Sequence, residues 1–353
     1  MKAKILNLES DCENEPTKEM RLAMRNAKIG DDDHRKDPTI NHLEEIAAKK
    51  LGKESALFCL NGTMANIIAI HTHCQRGDKI ILVPDMHIYY AEMKGITTIT
   101  GVIPYIIENI SQRSVPNLTD LDIALKGQYA ESLNISLLCL ENPHNYWGGI
   151  IMNPEDTEKI CQIAHRQNVL VHLDGARVFN AAIALKVNVF ELVKSVDSVM
   201  LCLNKGLAAP VGAMLAGSQD FIDRARQNRK MLGGHMRQMG IMAAAGIVAL
   251  EKMIDRLEED HKNALTLAKE LTLIEELRLN FEDIKPQTNI VTIDIGKLNI
   301  EAVDFRNTLI KYNIICRIYP FTTKVRFVTH YGITEKDITR IVKSVKEVIN
   351  EQK

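Results

Sequence analysis

One lysine of the chain sits where an amine can act as a nucleophile. The run Ser198-Val199-Met200-Leu201-Cys202-Leu203-Asn204-Lys205-Gly206-Leu207-Ala208-Ala209-Pro210-Val211-Gly212 carries Lys205 out of an apolar segment into small and aliphatic neighbours. Removal from water disfavours the charged amine, which predicts a lowered pKa and an available neutral nucleophile. A Schiff-base lysine needs that property. The plainer alternative is a lysine whose stem crosses an apolar loop and whose head reaches water. Upstream, Val169 to Leu173 reads as a short buried strand ending in Asp174, with Gly175 and Ala176 after it. An acid at the carboxyl end of a strand reaches the crevice where open α/β sheets bind ligands. Pyridoxal 5'-phosphate (PLP) chemistry requires both parts. A lysine forms the Schiff base, and an acid keeps the pyridine nitrogen protonated so that the ring can store electrons.

The surrounding elements are of the kind that would hold such a pair. Leu57 to Leu60 reads as a strand, followed by the turn Asn61-Gly62-Thr63-Met64-Ala65-Asn66 and a helix from Ile67 to His73. Free amides and the helix dipole make that junction an anion site, with Gly62 permitting close approach and Thr63 adding a hydroxyl. Further strands, Ile80 to Val83 and Leu137 to Leu140, run into Pro84-Asp85-Met86-His87 and Glu141-Asn142-Pro143-His144-Asn145. A helix from Pro154 to Gln167 leads into the Asp174 strand. The alternation predicts an α/β fold, a mostly parallel sheet with helices on both faces. Residues 1–250 are expected to form this large PLP-binding domain. Ala243 to Leu271 reads as one long bridging helix, and residues 251–353 as a small α+β domain to which the N-terminal segment is a candidate addition.

Bulk properties exclude several classes. The 353 residues are 46% hydrophobic and 25% charged with a net charge of −1, so no global field draws the chain to nucleic acid or an anionic membrane. No apolar run reaches the length of a bilayer span, and the first residues lack the apolar core of a signal peptide. The seven cysteines have no metal-ligand or paired spacing, which argues against a metal site and a disulfide framework and for a cytoplasmic setting.

The segments His172-Leu173-Asp174-Gly175-Ala176-Arg177-Val178-Phe179-Asn180-Ala181-Ala182 and Asn204 to Gly212 resemble the threonine aldolase and β-eliminating lyase family, a branch of the aspartate-aminotransferase-like, fold-type I PLP enzymes. The similarity runs from about Ser10 to about His330. It implies that Lys205 carries PLP, Asp174 pairs with the ring nitrogen, Gly62 and Thr63 cup the phosphate, and His87 stacks on the ring. It implies that Ser10, Arg177 and Arg326 hold the substrate carboxylate, with Arg177 also touching the cofactor. His144 becomes a candidate proton shuttle, because imidazole titrates near neutral pH. Lys230 and Arg237 match residues that reach the active site of an adjacent subunit, implying a homo-oligomer, dimer or tetramer, with shared sites. Trp147, the only tryptophan, either lines the substrate mouth or packs.

The chain departs from the family at Glu9, Cys12, Asn61, Pro143, Asn204 and the loop His34-Arg35-Lys36. That loop adds positive charge where the family usually has Tyr-Gly-Glu. The expected activity is retro-aldol cleavage of a β-hydroxy-α-amino acid to glycine and an aldehyde. β-Elimination, transaldol transfer and amino transfer use the same lysine and acid, and a non-enzymatic protein that kept the fold is the remaining alternative.

Overall fold

Short apolar runs alternating with helices build one large sheet in the computed structural model, which describes residues 4–108, 115–126, 134–279 and 285–351. Its strands are β1 (Ser55–Cys59), β2 (Lys79–Leu82), β3 (Ile103–Ile106), β4 (Ile135–Glu141), β5 (Leu170–Asp174), β6 (Ser198–Cys202) and β7 (Ala213–Gly217). They lie in the order β1-β7-β6-β5-β4-β2-β3. All pairings are parallel except those of β7, which runs antiparallel to both neighbours. Sheet faces follow the two-residue period. Met200 and Cys202 of β6 pack with Leu57, Ala65, Ile68 and Phe221, beneath helices Gly62–His73 and Gln219–Met231. Val199 and Leu201 face the larger core on the other side.

A second core has its own four-stranded antiparallel sheet, β8 (Arg278–Leu279), β9 (Ile290–Asp294), β10 (Arg317–Ile318) and β11 (Lys324–Val328), in the order β10-β11-β9-β8. Phe305, Phe327 and Ile341 fill it, and Leu6 and Leu8 from the start of the chain are buried in the same cluster. Leu6–Asn7 pairs in parallel with Ile314–Ile315.

Two helices differ from expectation. The helix after β1 begins at Gly62, because the Asn61 side chain accepts the Met64 amide at 2.8 Å and caps it there. The span read as one helix from Ala243 to Leu271 is two, Gly240–Lys252 and Leu257–Thr272. The break lets the chain change partners. Ala243, Ala249 and Leu250 belong to the first core, whereas Ala264, Leu267 and Leu271 belong to the second.

Gly175 closes the end of β5 tightly: its amide donates to the Met200 carbonyl at 2.9 Å, and a Cβ there would lie 2.8 Å from that oxygen. Gly175→Ala should therefore cost roughly 1–3 kcal/mol. The check is urea unfolding, where the midpoint falls while the slope stays that of the parent.

Candidate active site

The carboxyl ends of β1, β2, β4, β5 and β6 meet around a cavity of about 180 Å³. Gly62, Thr63, His87, Asp174, Arg177 and Lys205 line it together with Glu92, Glu141, Asn145 and Asn204. Each comes just after or at the end of a strand, or from the helix that follows. A larger surface groove of about 820 Å³, lined by residues such as Lys49, Phe179, Phe190 and Asp255, contains none of them.

Lys205 lies three residues beyond β6 in a turn closed by the Ala208 amide donating to its carbonyl at 2.8 Å. Asn14 donates to the same oxygen at 2.8 Å. The amine departs from the sequence expectation. Burial pulls its pKa down, but Cys202, Asp174 and Asp11 pull it up and Arg177 opposes them, and the net shift is upward. Burial pushes the Cys202 thiol itself up to about 11, so it is neutral at pH 7 and the two carboxylates are what hold the proton. The aliphatic sequence neighbours of Lys205 predict the burial but not the pull of Asp11, and Asp174, the expected ring partner, also holds the proton on this amine.

Asp174 is buried at the end of β5. It accepts the Ala176 amide at 3.1 Å and the Asn66 side-chain amide at 3.0 Å. Burial and the nearby Glu92 raise its pKa, against the pull of Lys205, His87 and Asn66. Glu92, absent from the sequence expectations, joins three side chains here. It accepts from Thr63 Oγ1 at 3.0 Å, from Asn66 at 3.0 Å and from His87 Nδ1 at 2.8 Å. The Thr63 hydroxyl is thus committed to Glu92. The open donors at the helix start are the amides of Gly62 and Thr63, which have no acceptor among the described residues. Burial lowers the His87 pKa, but its bond to Glu92 and the charges of Asp174, Glu92 and Glu141 outweigh this, and it is raised. Glu141, at the end of β4, accepts the His87 amide at 2.6 Å and the Asn145 amide at 2.7 Å. Burial first, then Asp174, pushes its carboxyl up to about 7.

The structure does not bring His144 into the cavity lining. It is buried, burial pulls it down to about 3, and neither ring nitrogen has a partner among the described residues.

The two arginines differ in what they hold. Arg177 forms a fork on Asp11, Nε to one oxygen at 2.8 Å and Nη2 to the other at 2.7 Å, which takes the bidentate edge assigned to substrate. Burial would raise the Asp11 carboxyl, but the Arg177 charge and hydrogen bonds carry it well below the usual carboxylate range. Arg326, on β11, is buried with no carboxylate partner among the described residues. It donates to Asn145 Oδ1 at 3.1 Å and to the Glu9 carbonyl at 3.3 Å, and its Nε has no partner. Asn145 Oδ1 also accepts from Arg177 at 3.2 Å, so one amide spaces the two cations. Ser10 caps a short turn, its hydroxyl accepting the Cys12 amide at 3.2 Å, and only Cys12 of that turn reaches the cavity. Trp147 packs edge-on against Tyr146, which packs against Tyr90 and Tyr319.

Lys230 and Arg237 lie outside the cavity, exposed and paired with Asp33 at 2.8 Å and Asp31 at 2.6 Å. The buried Asp32 pairs with Arg229 at 2.6 Å. His34, Arg35 and Lys36 are exposed and do not line the cavity. The three acids just before them give the loop its electrostatic contacts.

The architecture is that of the threonine aldolase fold. A putative L-allo-threonine aldolase from Listeria monocytogenes superposes with a TM-score of 0.78 at 21% identity, covering 97% of this chain and 96% of that one. A Leishmania major threonine aldolase gives 0.80 at 17% identity, covering 98% and 99%. The chain belongs to the beta-eliminating lyase family, whose model matches residues 7–295. It is 42% identical to Low-specificity L-threonine aldolase 1 of Arabidopsis thaliana over 94% of this chain and 93% of that protein. Identity to the Low specificity L-threonine aldolase of Escherichia coli K12 is 36%, over 96% and 97%.

Asp11 ties the N-terminal segment to Arg177, and Asp11→Asn should cost about 3 kcal/mol or more at pH 7 by leaving a buried guanidinium unpaired. The Asp11 pKa is depressed by folding, so its contribution is complete above the ordinary carboxylate range and is lost as pH falls toward the folded value. The stability gap between parent and variant should therefore hold down to about pH 4 and narrow progressively only below it.

Proposed function

We propose that the chain is a PLP-dependent lyase that cleaves a β-hydroxy-α-amino acid of the threonine or allo-threonine kind to glycine and an aldehyde. The observation that carries this is one cavity holding Lys205 and Asp174 at the ends of adjacent parallel strands. The aldolase names of relatives at 36–42% identity support the reaction type. The residues present fit the cofactor. An amine and a buried acid line the cavity, and two amides without acceptors stand at a helix N-terminus beside them. A Cβ at Gly62 would lie 3.0 Å from Cys202 Sγ and Met200 Cε, so a larger residue there would have to displace both side chains.

When bound, the cofactor supplies an electron sink for the pair released at Cα. Lys205 Nζ would be the amine that holds its aldehyde carbon, Asp174 would accept from its ring nitrogen, the Gly62 and Thr63 amides would take its phosphate, and His87 would cover the ring. Arg326 grips the substrate carboxylate with the guanidinium edge that no protein carboxylate occupies, and Ser10 adds a hydroxyl. Because His87 Nδ1 is bonded to Glu92, a proton leaving the β-hydroxyl is taken at Nε2 or by a water held there. Glu92 stabilises the imidazolium that results. We also infer a division near residue 250, with the N-terminal strand joined to the small C-terminal domain. The chain assembles as a homo-oligomer, dimer or tetramer, in which Lys230 and Arg237 serve a neighbour's site, in a reducing cytoplasm.

Purified protein should be yellow, and borohydride should fix the label on the Lys205 peptide; label on a different lysine defeats the assignment. With threonine, allo-threonine and phenylserine, equal amounts of glycine and aldehyde should appear. Arg326→Ala should raise KM roughly 10- to 100-fold, the size of a lost charged hydrogen bond of about 1.5–3 kcal/mol.

Mixing inactive Lys205→Ala chains with inactive Arg237→Ala chains should restore part of the activity once subunits exchange. A fully active monomer in sedimentation defeats the shared-site idea.

A further inference from the structure

Behind the cavity, a line of polar side chains crosses the interface between helix Gly62–His73 and the sheet. Asn66 and His73 lie two turns apart on one helix face, and His172 and Asp174 are alternate residues of β5. Ser198 of β6 is the ladder partner of His172. The Asn66 amide nitrogen donates to Asp174 Oδ2 and to Glu92 Oε2, both at 3.0 Å. Its oxygen lies 3.1 Å from His172 Nε2. His172 Nδ1 lies 2.8 Å from Ser198 Oγ, and His73 Nε2 lies 2.7 Å from the same hydroxyl. His73 stacks on Phe221 with ring centroids 4.3 Å apart.

One end of this line dictates the rest. Two carboxylates can only accept, so both Asn66 N–H groups point to them and its oxygen faces His172. His172 must then carry its proton on Nε2, which makes Nδ1 an acceptor for the Ser198 hydroxyl. Ser198 in turn accepts from His73 Nε2, and His73 Nδ1 is left bare, as its lack of any partner among the described residues requires. Burial pulls His172 down to about 3 and His73 to about 4, so the line is neutral at pH 7.

We propose that Asn66 is a positioning residue that fixes Asp174 and Glu92 side by side on one amide, itself oriented through His172 and Ser198 by His73. Glu92 sets the Nδ1 bond of His87, so one amide aligns the acid beneath the cofactor ring with the histidine over it. The proposal deepens the reading of Asp174 as the ring partner and rests on it. Nothing in the line touches the cavity except the two carboxylates and His87. A distant link should therefore be felt at the cofactor.

The test combines two measurements on the full chain. Nitrogen-15 NMR of labelled histidines should find His172 protonated on Nε2, and Asn66→Ala should turn it into a mixture of tautomers. A wild-type Nδ1 proton overturns the proposal. PLP affinity should fall about tenfold in Asn66→Ala, the scale at which outer hydrogen-bond partners act on metal ligands. It should fall severalfold in Ser198→Ala, which touches neither carboxylate, with a shifted cofactor absorption maximum in both. Variants that lose thermal stability but keep wild-type affinity and spectrum reduce the line to a packing device and overturn it. Failure of wild type to take up PLP defeats the ring-partner reading instead, and the His172 tautomer then decides for or against the relay alone.

Discussion

Three carboxyl groups, Asp174, Glu92 and Glu141, share the floor of one small cavity at the carboxyl edge of the sheet. Like charges so placed and so poorly hydrated cannot all ionise without nearby donors and cations. Most of the local structure answers that constraint. His87 donates from Nδ1 to Glu92, Asn66 gives a hydrogen to each of two acids, and the buried acids raise the pKa of Lys205. Burial and Asp174 push the Glu141 carboxyl up, and backbone amides of His87 and Asn145 donate to it. A site this acidic in its floor suits a ligand that brings a ring cation to Asp174.

The opposite wall answers a cationic constraint. Arg177, which lines the cavity, and Arg326, which does not, share the oxygen of Asn145, and of the two only Arg177 has a carboxylate partner among the described residues. Asp11 supplies it, and Asn289, just before β9, donates to Asp11 at 3.1 Å. A single buried acid thus ties the N-terminal segment to both sheets and leaves Arg326 without a carboxylate partner among the described residues.

Strand ends were legible because each apolar run stops at a residue of marked chemistry: Asp174, Glu141, Gly62, and Lys205 after a short turn. What the chain does across space was not. Glu92 sits in an ordinary-looking helical stretch, and only the return of that segment over the sheet makes it a hub. Asn66 looked like a turn residue, although its spacing to His73, set beside the alternation of His172 and Asp174, held a signal of two matching polar faces. Asp11 does not stand out in the sequence, because a fork on an arginine far along the chain leaves no local trace. At the loop of residues 34 to 36, a count of its positive residues leaves out the acids just before them, and it is Asp31, Asp32 and Asp33 that form the ion pairs. The reversed direction of β7 has no mark in an all-apolar strand, which is buried whichever way it runs.

The pairing of Leu6–Asn7 with Ile314–Ile315 has a consequence in time. During synthesis the first residues of the chain emerge long before their partners, and the second core lacks Leu6 and Leu8 until the two ends of the sequence meet. A contact of such high sequence separation is the kind that slows folding. The opening segment also carries Asp11, so the same meeting of distant parts of the chain brings Arg177 its carboxylate.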